Sequence, residues 1–396
     1  MITDYDFPTS RDGALERLKN FVADQALRYD EERNYVVPRH SNVSMLSTSI
    51  CYGLISADEA VEQALREHPF EEVEKFIQEI YWRRYWKSWL QMRPSIWDEY
   101  RQSVEEMNED AELVARCREV EEGRGPIEVM NGFAKELREK GYLHNHARMW
   151  FAGYWIHYMK LPWQMGTQFF YRYLLDGDPA VNTLSWRWVA GWQTPGKTYQ
   201  ASRRNIEKFL DDSELDGKRD SLALLDGHEV VRPEGAKRND PEEVEFASET
   251  PNDSLRSGVW LHEDDLNGPT FSCDLKIVTR DLGMEEHLDF PKFKTDWLSN
   301  VFAHAAQKSS ADLVETKELS NALLDWCKEH SLKQLVTSYP MIGYLNDEVV
   351  KVREKLSKEG ISLVLMRTEN ELEYLNLARG GFFGFWKKIK KLKGWE

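Results

Sequence analysis

Apolar positions recur at three- and four-residue spacing over residues 11–30, 57–67, 70–90, 132–140 and 144–160, which predicts amphipathic helices there. Thr9-Ser10 and Ser56-Ala57-Asp58-Glu59 supply hydroxyl caps ahead of two of them, the second with acidic first-turn residues. Alternating β-branched runs are absent up to residue 210, so this half is expected to be all-α. Past residue 255 the period changes. Residues 258–262, 275–279, 334–338 and 361–366 read as strands, and 318–330 and 347–359 as helices. Strand–helix alternation predicts a small parallel α/β domain. Between these parts, residues 211–254 carry fourteen acidic and five basic side chains, punctuated by Pro233, Gly235, Pro241 and Pro251. That composition predicts a solvated linker. The expected fold is therefore α+β multidomain: an all-helical domain (1–210), an acidic linker (211–254) and a small C-terminal α/β domain (255–396).

Composition narrows the function classes. The 396 residues are 41% hydrophobic and 30% charged, an ordinary globular balance. The net charge of −16 argues against indiscriminate attraction to nucleic acid or an anionic membrane. Residues 141–210 run against that balance, with eight Lys/Arg and three Asp/Glu, a net of +5. Arg187, Lys197, Arg203 and Arg204 are candidates for contacts to phosphates. The four cysteines form no CxxC, which speaks against a disulfide framework or a zinc–cysteine site. Asp4 and Asp6 stand where a signal peptide would be basic, and the longest apolar run, 149–156, is too short for a bilayer. A cytoplasmic monomer without membrane contact is expected. No GxGxxG or P-loop occurs at a strand–helix junction. The outlying number is 15 Trp, ten of them between Trp82 and Trp192.

Four constellations carry candidate chemistry. In Glu79-Ile-Tyr-Trp82-Arg83-Arg84-Tyr85-Trp86, helical spacing puts Glu79, Trp82, Arg83 and Trp86 on one face. Such a face can hydrogen-bond the edge of a heterocycle while stacking its plane, or it can be an aromatic core stripe with an ordinary ion pair. In Gly141-Tyr-Leu-His-Asn145-His-Ala-Arg148-Met149, Asn145 and Met149 share a face. His144 and His146, two apart, point away from each other and make a poor metal pair. Asp176-Gly-Asp178-x-x-x-Asn182-x-x-x-Trp186-x-Trp188 joins two carboxylates, an amide and two indoles; its plain alternative is a capped helix start above a Trp core. Calcium-loop spacing is lacking. Asn42-Val-Ser44-Met-Leu46-Ser47, after Tyr29 and Arg33, is a hydroxyl-rich turn of the kind that holds phosphates.

In their joint order these landmarks resemble the FAD-binding helical domain of the photolyase/cryptochrome family, over roughly half the chain. The resemblance implies that FAD is the cofactor, with Tyr29, Ser44, Leu46, Ser47 and Arg83 around its phosphates and ribityl chain. Arg148, paired with Asp176, would lie against the flavin ring; Asp178 would take its polar edge and Asn182 would face N5. The same resemblance implies a pocket for a flipped pyrimidine dimer in damaged DNA, built from Glu79, Trp82, Asn145, Met149 and Trp188. Asn145 and Met149, where the (6-4) branch carries His, point to cyclobutane dimers. The implied activity is light-driven dimer splitting by an electron from reduced FAD. The alternative is a cryptochrome-like blue-light photoreceptor without repair.

Several departures accompany the resemblance. Trp186 and Trp163 match the inner two members of the family's electron relay, but the outer one, expected near residues 109–110, is missing; Trp150, Trp155 and Trp192 are the candidate substitutes. Tyr142 and His146 replace a Trp and an Arg often found beside the pocket. The α/β antenna domain normally comes first. Here Gly258-Val-Trp-Leu-His-Glu-Asp-Asp-Leu266 faintly resembles its first strand, which suggests a shortened antenna-like domain displaced to the C-terminus, with its pigment unidentified. The tail 382–395, with Lys387, Lys388, Lys390, Lys391 and Lys393, reads either as an amphipathic last helix with a solvated face or as a DNA or membrane contact.

Overall fold

Ser56 opens its helix with a capping box: its side chain accepts from Glu59 N, and the Glu59 side chain accepts from Ser56 N. Side-chain caps also open several other helices, among them those after Asp110, Asp178 and Ser202, in the computed structural model, which describes residues 5–194, 196–233 and 239–395. Asp4 of the terminal reading and Gly235 of the linker reading lie outside the described residues. The longer helices before residue 240 are α1 (Arg11–Asp24), α2 (Ala57–Glu67), α3 (Phe70–Gln91), α4 (Ser95–Asn108), α5 (Ala111–Glu121), α6 (Glu128–Lys140), α7 (Asn145–Gly153), α8 (Trp163–Tyr173), α9 (Pro179–Val189) and α10 (Arg203–Phe209). The predicted helix 11–30 breaks into α1 and two short turns. The predicted helix 144–160 is α7 continued by a π turn over Tyr154–Tyr158.

The chain forms two compact units that cut across the expected linear domains. The first takes residues 5–7, 23–45 and 95–240. Its core joins α6 to α9 through Phe151, Trp155, Phe169, Phe170 and Trp186. Part of the expected linker belongs here, because Leu215, Leu222 and Leu225 are buried in that core and Arg219–Leu225 is a 3-10 helix. Acidic composition hid three leucines at helical spacing. The second unit takes residues 8–22, 46–94 and 241–395. Here too the linker is packed: Glu249 N donates to Leu365 O, and Leu365 N donates to the Glu249 carboxylate at 2.7 Å.

A five-stranded all-parallel sheet organises the rest of the second unit, in the order β3-β2-β1-β4-β5. Its elements are β1 (Ser257–Leu261), β2 (Lys276–Asp281), α11 (Lys292–Ser309), β3 (Asp312–Thr316), α12 (Leu319–Glu329), β4 (Gln334–Ser338), α13 (Tyr344–Lys358), β5 (Ser362–Met366), α14 (Glu369–Leu375) and α15 (Phe382–Lys393). The predicted strands and parallel pairing are all present. β3 was not anticipated, because an edge strand needs no continuous apolar run, and Asp312 and Leu313 are exposed. β1 is central and carries fully buried Trp260, whose indole donates to Thr279 Oγ1 at 2.7 Å.

In a doubly wound sheet the crevice falls where the strand order reverses, here between β1 and β4. That end is stapled shut. Asp265 accepts from Ser338 Oγ at 2.6 Å, Asp264 from Met341 N at 3.1 Å, and His262 Nε2 donates to Ser338 O at 2.9 Å. Glu263 beside them is pushed up to about 8 by burial and by Asp264, Asp281 and Glu285, against the pull of Lys294. Its proton is kept in the folded state and lost in the unfolded chain between the ordinary value of 4.5 and about 8. Stability of this unit should therefore fall as pH rises through that window. Glu263→Gln is expected to flatten the decline in thermal melts across the same range; an unchanged slope contradicts the assignment.

Candidate functional site

The predicted site residues divide between the two units. In the first unit, Asp178 caps α9 by accepting from Val181 N at 2.9 Å, with Pro179 at the first helical position. One turn further on, buried Asn182 donates its amide to Thr167 O on α8 at 2.9 Å, which leaves its oxygen as the acceptor. Asp176, 6% exposed, pairs with Arg148 at 2.9 Å across 28 residues of sequence. Arg148 also donates to Leu143 O at 2.8 Å and lies over the Tyr142 ring, 5.0 Å from its centre. The residue Tyr142 that stands where a Trp was expected is thus the guanidinium's platform.

Around this polar group the aromatic residues are fixed by close packing. The Trp186 ring lies edge-on to Phe170 at 4.9 Å and to Trp155 at 6.1 Å. It rests on Gly166, where a Cβ would sit 2.3 Å from the ring, so only glycine fits. Half-buried Trp163, three residues before Gly166, stacks on Tyr100 of α4 at 5.9 Å and 23°. Trp97 lies 5.4 Å from Tyr100. The aromatic that continues from Trp163 is therefore Tyr100, which nothing in the local sequence singled out. Of the three candidate substitutes, Trp155 touches Trp186 but is fully buried, and Trp150 is buried between His146 and Phe133 with its indole on Asn205. Trp192 is half-buried against the helical core.

The remaining first-unit residues take distinct positions. Asn145 is exposed at the start of α7, and Met149 and Trp188 are half-buried, Trp188 stacking on Tyr199 at 5.8 Å. Tyr29, at the start of a short helix (Tyr29–Glu32), and Ser44, on the loop that follows, are half-buried; Asn42 pins the two together by donating its amide to Glu32 O and Tyr35 O. His144 spends Nδ1 on capping α7 and is pushed down to about 3 by burial and by His40, so it stays neutral. His146 donates to Asn34 O. Among the described residues no group of three or more His, Cys, Asp or Glu is set to hold a metal ion. Of the four basic candidates, Lys197 and Arg204 are exposed and Arg203 pairs with Glu207 at 3.0 Å. Arg187 is a correction: it is buried, with its guanidinium bonded to Gln193 and Asn239, and is no phosphate contact.

In the second unit, Arg83 donates to Ser47 O at 3.4 Å, joining two residues expected at the cofactor. Leu46 is buried and Glu79 half-buried. Trp82 is half-buried and stacked face to face on Phe382 of α15, with ring centres 3.5 Å apart and planes at 9°. That partner lies three hundred residues away and could not be read from spacing.

Two buried carboxylates and a buried amide beside a half-buried guanidinium, set in an aromatic core, have the mixture of donors and acceptors that suits a flavin-binding helical domain. Residues 76–218 match the family model described as the FAD binding domain of DNA photolyase. Over this segment the chain is similar to the FAD-binding domain of the photolyase/cryptochrome family, a likeness that indicates FAD as its cofactor. The chain is 32% identical to the deoxyribodipyrimidine photo-lyase of Streptomyces griseus over 152 residues, 38% of this chain and 32% of that protein. It is 25% identical to that of Escherichia coli over 202 residues, 49% of this chain and 42% of that protein. The match thus spans less than half the length of these relatives. Among solved structures, a class III photolyase from Agrobacterium tumefaciens aligns at 24% identity and TM-score 0.43, covering 55% of this chain and 44% of that one. A Synechocystis cryptochrome aligns at 17% and 0.41, covering 57% and 48%. No helix among the described residues is long and apolar enough to cross a membrane.

Removing the charge of Asp176 leaves Arg148 without its carboxylate. Asp176→Asn is expected to cost about 1–3 kcal/mol in denaturant unfolding and to lower the FAD content of the purified protein. Gly166→Ala, which pushes on Trp186, should cost a similar ~1–3 kcal/mol.

Proposed function

We propose that this protein is a light-dependent enzyme that splits cyclobutane pyrimidine dimers in DNA. The observation that carries the reading is buried Asp176 paired with half-buried Arg148 beside the Asp178 cap and Asn182, since a polar group of this density inside a Trp- and Phe-rich core is retained for a ligand more readily than for stability. Reduced FAD, when bound, supplies the photo-excited electron that opens the cyclobutane ring and is returned afterwards.

The chain's own residues position and polarise. Arg148, with its guanidinium oriented by Asp176 and Leu143 O, would present a fixed positive charge to the flavin ring. Asp178 holds the start of α9, and Asn182 offers its free oxygen as an acceptor on the same helix. Tyr29, Ser44, Leu46, Ser47 and Arg83 are assigned to the phosphates and ribityl chain. Exposed Asn145 and half-buried Glu79 would hydrogen-bond the dimer's edges, with Trp82, Trp188 and Met149 against its faces. No general acid–base pair is required, because the reaction involves no net proton transfer; the protein's contribution is orientation and electrostatics. Lys197 and Arg204 remain as exposed partners for the DNA backbone.

The deciding experiment is blue-light repair of a thymine-dimer oligonucleotide by the reduced holoprotein. Repair is expected, and FAD-bound protein that repairs nothing would mean a photosensor. Trp188→Ala should weaken dimer affinity by about 1–3 kcal/mol, roughly 5- to 150-fold, with undamaged DNA unaffected. Trp163→Phe should slow photoreduction of the flavin; an unchanged rate rules out a relay through Trp163.

A further inference from the structure

The stacking surface assigned to the damaged base on Trp82 is already in use. Phe382 lies parallel to the indole at 3.5 Å, and Phe383 meets it edge-on at 6.4 Å. Parallel rings at this distance are in van der Waals contact, so no base can enter between them. On the helix itself Trp82 is flanked by Trp86 at 5.5 Å and Tyr85 at 5.7 Å. Resting on the reading of Trp82 as a base-stacking residue, we propose that α15 is an intramolecular plug: it occupies the dimer's stacking face through Phe382 and must swing away for damaged DNA to bind.

The segment is seated by a deeply buried apolar face and tied by a small set of partly exposed polar contacts. It is seated by one apolar face, Phe382, Phe385, Trp386 and Ile389, which makes the closed form the resting one. Its polar ties are Trp386 Nε1 and Lys390 Nζ to Glu74, at 3.2 and 3.3 Å, and Lys393 Nζ to Glu373 at 3.4 Å, and just before the helix Tyr85 Oη donates to Gly380 O at 2.8 Å and Arg93 to Arg379 O at 2.9 Å. Half-exposed ion pairs of this sort are weak and salt-sensitive. The approach to the helix is Gly380-Gly381, and Gly384 lies in its first turn. A Cβ at any of the three would meet nothing within 4 Å, and none of the three has a positive φ. Packing does not demand glycine there, so what the three glycines supply is backbone freedom. The outer face carries exposed Lys387, Lys388 and Lys391 beside Phe383, which is 73% exposed. A phosphate backbone would meet these lysines and compete with Glu74 for the Lys390 charge.

The test uses the full-length holoprotein in the dark and measures Kd for a thymine-dimer oligonucleotide and its undamaged twin. With the closed form dominant, apparent affinity is reduced by the open fraction, so Phe382→Ala is expected to tighten dimer binding roughly 10-fold and leave undamaged DNA unchanged. Phe382→Leu, which keeps the apolar anchor and drops the stacking ring, should fall between. A purely structural Phe382 would lower thermal stability without tightening binding. In the opposite direction, Glu74→Cys/Lys390→Cys in a Cys273→Ser background, bridged by a short bis-maleimide, should weaken dimer binding at least 10-fold relative to the same protein left unbridged. Equal dimer affinity in the wild type, both Phe382 variants and the bridged protein overturns the plug while leaving repair intact. If no variant distinguishes dimer from undamaged DNA although FAD is bound, the plug and the repair reading fall together.

Discussion

Two buried carboxylates in one turn are the constraint on which the first unit is built. Asp176 and Asp178 sit three and five residues beyond the end of α8, and a charge taken from water is costly unless it is answered locally. Asp176 is answered by Arg148, and Asp178 by the free amides and positive end of α9. These two answers fix where α9 begins and how Arg148 is turned, and with them the positions of Asn182, Trp186 and Trp188 along the same helix. The arrangement makes little sense as a stabilising device, since a well-packed apolar turn would serve as well or better. It makes sense as a preformed polar floor for a large, flat, partly charged cofactor.

The aromatic excess has a second explanation layered on the first. Trp186, resting on Gly166, meets Trp155 and Phe170 edge to face, and Trp155 lies parallel to Phe169, at the spacings that aromatic quadrupoles favour. They are core in the plain sense. Trp82, Trp163 and Trp188 differ, because each is only half-buried and each lies flat against another ring: Phe382, Tyr100 and Tyr199. Flat stacking at a partly open position is what a planar substrate or a charge-transfer partner needs. In the one case of Trp82, the chain itself supplies the stacking ring.

The second unit solves a different problem. Its parallel sheet keeps a doubly wound order, yet the crevice at the reversal of strand order is closed by Asp264, Asp265, His262 and Ser338 bonding across β1 and β4. The sheet stands as an α/β layer whose usual ligand position is occupied by its own side chains.

Periodicity and capping chemistry were enough to mark five helical stretches of the first half, four of the five parallel strands of the second and the Asp178 start of α9, because those signals act within a few residues. Motif order was enough for the likeness to an FAD-binding photolyase domain, since the landmarks from Glu79 to Trp188 fall within the matched segment. Chain-distant packing decided the remainder. Leu215, Leu222 and Leu225 joined a core that their acidic neighbours concealed, and Arg187 turned inward because Asn239 and Gln193 were there to satisfy it. Tyr100 met Trp163, and Phe382 covered Trp82, across separations at which spacing carries no information. Local sequence specifies which face a residue takes on its own helix; only the folded chain specifies what stands opposite that face.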